Sequence, residues 1–502
     1  MNLLLFPLLA ATVVLTNGCS SPRQHIPEIA KLYRDVAQRH ARNPVIVIHG
    51  ILGARLEERA TKKTVWGAFT SEATDPATRS GAVALAVPFA DLEAKAMPDL
   101  SVANVFATGP LETIQLSFLF AVINVGIYAD ILKTLGVGGY RDPVAGDASA
   151  PAYALDHFTC FTFFYDWRRD CVSNAIAFGA YLDTVRVRVA RSAERRIHEL
   201  REDGSPAALS EALATEQWLA DGYRFDVVAH SMGGLLARYY LRYGANPLPL
   251  DGSPATVTWA GAEDIDRLVL VGTPNLGSMD ALQNMLCGFS PGGFLLPKFH
   301  PAILGTMPSI YQLLPRGEDL IVDHDFEPLD VDLFDVDTWD ENRWGLLSAE
   351  SDQYLRWFLP DVQDASERRK RARAVVANNL ERARRFHRSL DEPATGCPID
   401  VRLFAAGSEP TLERAQLLAR GDRLLANFSA GELWEPGDAT VTRRSAIADL
   451  RTPNDVQQTW LRSSVDWASV TFLPDDPIGL TRNPIFADNL LFYLLEQKPA
   501  PR

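Results

Sequence analysis

Ser231 stands in Ala229-His230-Ser231-Met232-Gly233-Gly234, between the apolar run Phe225 to Ala229 and a helical stretch that ends near Tyr243-Gly244. A strand that runs through a Ser directly into a helix must turn sharply. Small residues two before and two after the Ser permit that turn and expose the hydroxyl. Ala229 replaces the first Gly of G-x-S-x-G, which adds only a methyl. The chemistry expected of Ser231 is attack on a carbonyl carbon; a turn Ser that caps a helix is the bland alternative. Attack places negative charge on the carbonyl oxygen, and two backbone N–H groups are needed to receive it. Met232, at the helix N-terminus, is expected to supply one. The loop His49-Gly50-Ile51-Leu52-Gly53 is expected to supply the other from Ile51, with Leu52 in reserve, because Gly50 and Gly53 let the backbone bend toward a substrate. His49 reads as a hydrogen-bonding member of that loop rather than a proton carrier. Asp438, in Glu435-Pro436-Gly437-Asp438-Ala439-Thr440-Val441, follows Ser231 in the order Ser, Asp, His and suits an acid that holds an imidazole tautomer; an Asx turn is its alternative.

Positioning these groups takes a sheet. Val45 to Ile48, residues 160–165, Phe225 to Ala229, Leu268 to Val271, Val401 to Ala406 and Val470 to Leu473 are short apolar runs without period-two alternation. Central parallel strands look like this, since helices cover both faces. The fold expected is α/β, with a mostly parallel, doubly wound sheet. Residues 275–400 break the strand rhythm and read as a cap inserted between a first core part (44–274) and a second (401–502). Within it 316–340 is acidic and 366–390 is a basic helical run; the two either face each other or are separate solvated faces. Residues 113–127 (TIQLSFLFAVINVGI) are apolar but too short for a span, and a buried helix is expected there ahead of a lipid-touching surface.

The 502 residues are 47% apolar and 22% charged, which excludes disorder and polytopic membrane architecture. No period of 20–50 residues repeats, so solenoids are out. A formal charge of −14 opposes nucleic-acid binding, which needs Lys and Arg on phosphates. Residues 1–18 are an apolar run that reads as a secretory signal ending at Cys19, which suggests a lipidated N-terminus, a following linker or helix over 19–43, and an exported, membrane-anchored chain of the bacterial periplasm or outer membrane, or a secreted one. No Lys or Arg precedes the run, and Asn17 is unusual before such a Cys. Cys160, Cys171, Cys287 and Cys397 allow three full pairings and lack zinc-site spacing. No metal or organic cofactor is implied.

Taken together, Val45 to Leu56 (VIVIHGILGARL), Trp66-Gly67, Tyr128 to Tyr140, Tyr165 to Arg168, Ala229 to Gly234, Gly272 to Ser278, Gly407 to Thr411 and Gly437 to Ala446 resemble the lecithin:cholesterol acyltransferase family and its bacterial lipase-like members. The resemblance spans most of 44–498. It implies an α/β-hydrolase fold and an acyl-enzyme mechanism on lipid esters. Ser231 matches the nucleophile, Asp438 the acid, and Ile51 with Met232 the oxyanion donors. Leu52, Asp166 and Trp167 match positions expected at the substrate, although Asp166 and Trp167 suit strand-end packing as well. The family's catalytic His follows the last strand, and here Pro477 stands at that place; the last His in the chain is His387. Losing such a base costs about 10⁶ in turnover in a subtilisin-type site. Three replacements stand in the sequence: a cap His (His300 or His324), His230, or a carboxylate (Asp475 or Asp476), with His157 and Asp170 more remote. A lipid ester hydrolase or O-acyltransferase is therefore the first expectation. The alternative is a pseudoenzyme that binds lipid or a protein partner in the retained pocket, and a weaker third is a structural surface lipoprotein.

Overall fold

The computed structural model describes residues 28–36, 42–67, 75–94, 100–111, 114–115, 122–123, 127–142, 159–290, 298–421, 423–452, 456, 459–475 and 479–498. The signal segment 1–18, Cys19, His157, Asp476 and Pro477 lie outside the described residues.

Six strands make the central sheet: β1 (Val45–Ile48), β2 (Cys160–Phe163), β3 (Phe225–His230), β4 (Ile265–Val271), β5 (Asp400–Ala406) and β6 (Trp467–Leu473). Their spatial order is β6-β5-β4-β3-β1-β2, and every pairing is parallel. Each of the apolar runs has thus become a strand. The absence of polar alternation has its expected cause. Val45, Val47, Val228, Val269 and Val271 face one apolar layer, which includes the helices at 127–137 and 484–495. Ile46, Ile48, Val227, Ala229, Leu268 and Leu270 face the other, built on α1 (Cys171–Asp203) and α2 (Met232–Tyr243).

From β1 the chain builds outward to β2, then returns to the other side of β1 and adds β3 to β6 in turn. The direction of winding therefore reverses between β1 and β3. Loops leaving the carboxyl ends of two such strands diverge and leave a crevice. The His49–Gly53 loop and the Ser231 turn leave from those two ends.

Between β4 and β5 lie α3 (Met279–Cys287), several short helices and α4 (Ala365–Asp391). The acidic and basic stretches do face each other: Arg369 pairs with Asp340, Arg373 with Asp337 and Asp340, and Arg384 with Asp332. Residues 321–322 of this region join a sheet with the hairpin Ala415–Arg420 and Arg423–Asn427, so the inserted region pairs with chain beyond β5. Of the stretch 113–127, where a buried helix is expected, the described residues Ile114–Gln115 and Val122–Ile123 instead pair as antiparallel strands, and a helix starts at Ile127. That stretch is rich in β-branched and aromatic residues, which favour strands. Cys160, Cys171, Cys287 and Cys397 are all free thiols. Among the described residues no helix is long and apolar enough to cross a membrane.

Candidate active site

Ser231 has φ 52° and ψ −129°, a region that costs a side chain on the order of 1–3 kcal/mol and persists only when the surroundings enforce it. The enforcing contacts are short. The Ser231 amide donates to the Val271 carbonyl at 2.8 Å, tying the turn to the end of β4. A Cβ on Gly233 would meet the His49 carbonyl oxygen at 2.4 Å, and one on Gly234 would meet Thr273 Oγ1 at 2.0 Å. The start of α2 is thus wedged between the ends of β1 and β4, and only glycines fit. Met232 is the first residue of α2, where no carbonyl of the helix is available to its N–H.

Across the crevice, the Gly53 amide donates to the Gly50 carbonyl at 3.3 Å, closing a turn over Ile51 and Leu52. Leu52 sits at φ 64°. A Cβ on Gly50 would lie 2.7 Å from Ser231 Cβ and 3.1 Å from its Oγ, so this loop touches the Ser directly. His49 holds the loop. Its ring stacks on Tyr165 at 4.2 Å, Nδ1 donates to the Gly50 carbonyl at 2.7 Å, and Nε2 accepts from the Tyr165 amide at 3.3 Å. The Tyr165 hydroxyl donates to the His49 carbonyl at 2.8 Å. Burial lowers the His49 pKa to about 4, and both nitrogens of the neutral ring are committed. Its expected role as a hydrogen bonder of the loop fits these contacts.

Trp66 Nε1 donates to the Leu52 carbonyl at 3.0 Å and Trp167 Nε1 to the Ala54 carbonyl at 3.2 Å, with the two indoles edge to face. Asp166 is bound by Arg168 through both carboxylate oxygens, at 2.9 and 2.8 Å. Burial pushes the Asp166 carboxyl up, but the Arg168 charge and hydrogen bonds hold it below the usual range. Trp167 and Asp166 are 1% and 7% exposed; Trp167 braces the chain that leaves the loop, and Asp166 reaches the wall of a cavity of about 550 Å³.

Asp438 is 2% exposed on a turn built for it. The strands Glu409–Leu412 and Trp434–Gly437 pair and deliver the turn, and Ala439, at φ 72°, donates its amide to Thr411 Oγ1 at 2.7 Å. Asp438 Oδ1 accepts from the amides of Thr440 (2.9 Å) and Val441 (2.7 Å). Its Oδ2 faces the end of β4, 3.6 Å from where a Cβ on Gly272 would lie.

The candidate bases have different partners. His300 caps a short helix, accepting from the Ala302 amide, and stacks on Tyr354. His324 is exposed and pairs with Asp325. His387 is buried, with Nε2 on the Gln312 carbonyl, and Asp170 is the N-cap of α1. Asp475 accepts from Asn483 Nδ2. His230 ends β3, with its Nδ1 3.2 Å from the Gly50 Cβ position and its Nε2 4.0 Å from that of Gly272. Leu480, just past β6, is 3.6 Å from the same Gly272 position, so an apolar side chain occupies the neighbourhood of the acid. One nearby group escaped the sequence reading. The Asp280 carboxyl, in the first turn of α3, is pushed up to about 6 by burial and by the charge of Asp438. Nothing in its sequence context marks it, because the pairing with Asp438 joins residues far apart in the chain.

Residues 209–342 match the family model for lecithin:cholesterol acyltransferase. The match takes in the Ser231 turn, β4 and part of the region between β4 and β5, and it stops before Asp438. No curated protein matches the chain. Among solved structures the chain is similar to one in the crystal structure of the Tle4–Tli4 complex, with a TM-score of 0.50 at 14% identity, over 91% of this chain and 98% of that one. That likeness, with the parallel six-stranded sheet, identifies the α/β-hydrolase type of fold.

Proposed function

We propose that the protein transfers acyl groups from lipid esters through an acyl-enzyme on Ser231, to water or to an alcohol. The observation that carries this reading is the strained Ser231 turn pressed against the Gly50 loop, because a side chain at φ 52° is held there against its own backbone preference. Ser231 Oγ attacks the ester carbonyl, the oxyanion rests on the amides of Ile51 and Met232, and Asp438 orients the base. The family match over 209–342 favours lipid esters as the substrate class. The signal-like residues 1–18 ahead of Cys19 favour an exported, lipid-anchored protein.

The full-length protein is expected to react with a fluorophosphonate probe and to hydrolyse a short-chain aryl ester. Ser231→Ala is expected to lose both, the turnover by on the order of 10³-fold or more. Activity surviving in Ser231→Ala would move the site elsewhere. A second reading, a binding protein with a retained pocket, is favoured by one observation: the chain has no His after His387. An unreactive wild-type protein that still binds phospholipid vesicles would establish it.

A further inference from the structure

We infer that the protein has a second ligand site, apart from Ser231, that takes a long-chain carboxylate: a cavity of about 640 Å³ in which Arg169 meets the carboxylate and a wall of valines takes the chain.

The cavity lies where the helix Arg79–Leu85 and the strands Thr64–Trp66 and Val105–Pro110 meet the chain that leaves β2. Its volume is that of a small-molecule site, roughly 300–1,000 Å³. No residue of the Gly50 loop, the Ser231 turn or the Asp438 turn lines it.

Two neighbouring arginines reach this cavity, and they are used differently. Every nitrogen of the Arg168 guanidinium is engaged: Nε and Nη2 on Asp166, Nη1 on the carbonyls of Ala84 and Leu85. Arg168 is therefore part of the wall. Arg169 is only 4% exposed, yet its Nε and Nη1 are buried without a hydrogen-bond partner. Asp91 Oδ2 lies 2.6 Å from Nη1 and Asp166 Oδ2 3.7 Å from Nε, close enough to balance charge but out of line to accept a hydrogen bond. A guanidinium buried with donors unmet is costly, and such a group calls for an acceptor. A planar carboxylate accepts two guanidinium donors as a fork.

The rest of the wall suits a hydrocarbon chain. Val65 is buried and Val105 half-buried, while Val83 and Val102 are 45% and 75% exposed beside the cavity. Covering them removes apolar surface from water. The remaining charges limit the head group. Lys63 and Arg169 stand against Asp91 and Glu58, and Glu58 already accepts from Thr61 and Asn104. A wall so balanced does not favour a doubly charged head. It suits a singly charged one that Arg169 orients and whose tail supplies the affinity. Acyl transfer to water on Ser231 releases this class of molecule, so on that reading the cavity holds product away from the crevice. The binding itself does not depend on that reading.

The test is calorimetric titration of dodecanoate, below its micellar concentration, into full-length protein carrying Ser231→Ala, so that no turnover intrudes. One molecule is expected to bind per chain. Acetate, which lacks the chain, and dodecanol, which lacks the charge, are each expected to bind at least about tenfold more weakly. Arg169→Gln on the same background is expected to weaken dodecanoate about 10–100-fold, the share of a charge-assisted hydrogen bond. Should that variant fail to fold, Val102→Asp decides, because its exposed position tolerates the change; it is expected to weaken dodecanoate by about tenfold or more. Unchanged affinity in either folded variant, dodecanol binding as tightly as dodecanoate, or no binding at all overturns the proposal. Tighter binding of dodecyl phosphate overturns the choice of a carboxylate. A wild-type protein that fails to label with fluorophosphonate, while the Ser231→Ala protein binds dodecanoate through Arg169, defeats the nucleophile reading and leaves this one standing.

Discussion

At the scale of single residues the candidate site is a set of close approaches that only small groups permit. Gly50 is the one that meets Ser231 itself. A Cβ there meets Ser231 Cβ at 2.7 Å and His230 Nδ1 at 3.2 Å, so at least one of the three residues must move. Gly50→Ala is expected to reduce ester hydrolysis by about 10²-fold or more, since removing one oxyanion donor costs 10²–10³ and this substitution displaces the loop proposed to carry one. The variant should unfold within a few degrees of the wild type, because the clash is at the crevice and not in the sheet core. Steady-state kinetics alongside a thermal melt checks this. Unchanged turnover would mean that the Gly50 loop is not part of the site.

Elements position these residues by their ends. β1, β3 and β4 deliver the Gly50 loop, the Ser231 turn and Gly272 to one edge, and α2 begins at the Ser itself. Behind them α1 is the longest helix described, and both its ends are specified. Asp170 Oδ1 accepts from the Ser173 amide at 2.9 Å, and Gly204 closes the far end at φ 67°. Asp170 was a remote candidate for the base, but its carboxylate is spent on this cap. Asp170→Ala is expected to lower unfolding free energy by about 1–2 kcal/mol, while turnover per folded molecule stays within about twofold, as urea denaturation paired with active-site titration would show. A large loss of turnover at full stability would put Asp170 in the chemistry after all.

The whole molecule carries opposed buried charges, and they set its pH response. Burial lowers the pKa of His49 and His230 to about 4 and that of His387 to about 3, so these groups favour the folded state above their unfolded value near 6.5 and lose that contribution as pH falls toward 4. Asp226 and Asp280 are pushed up to about 6, Asp280 by burial and then by Asp438. Their sign is opposite. A carboxyl raised in the fold stabilises below its unfolded value near 3.8 and loses that contribution as pH rises through 6. Asp280→Asn removes one such cost. Its thermal midpoint is expected to exceed that of the wild type above pH 6, by up to about 3 kcal/mol in free energy, with the gap closing by pH 4. A gap that does not change with pH would show that Asp280 is not strained by its charge.

Much of this protein is legible from residue order because the physics is local. A continuous β-branched run is a doubly covered strand, and a small-x-Ser-x-Gly run between strand and helix can turn only one way. The strands of the central sheet and the Ser231 turn therefore follow from neighbours in the chain, as does the Gly50 loop. The stretch at 113–127 misleads for the same local reason, since an apolar run without caps suits a helix or paired strands and only a partner strand chooses. What the tertiary structure alone decides is which distant groups meet. It brings the His230 ring to the Gly50 loop, sets Asp280 within the field of Asp438, and engages His300 with Tyr354 and His324 with Asp325. Those distances depend on how the ends of β1, β3 and β4 converge and on where the chain returns over them, and no spacing along one segment encodes that convergence.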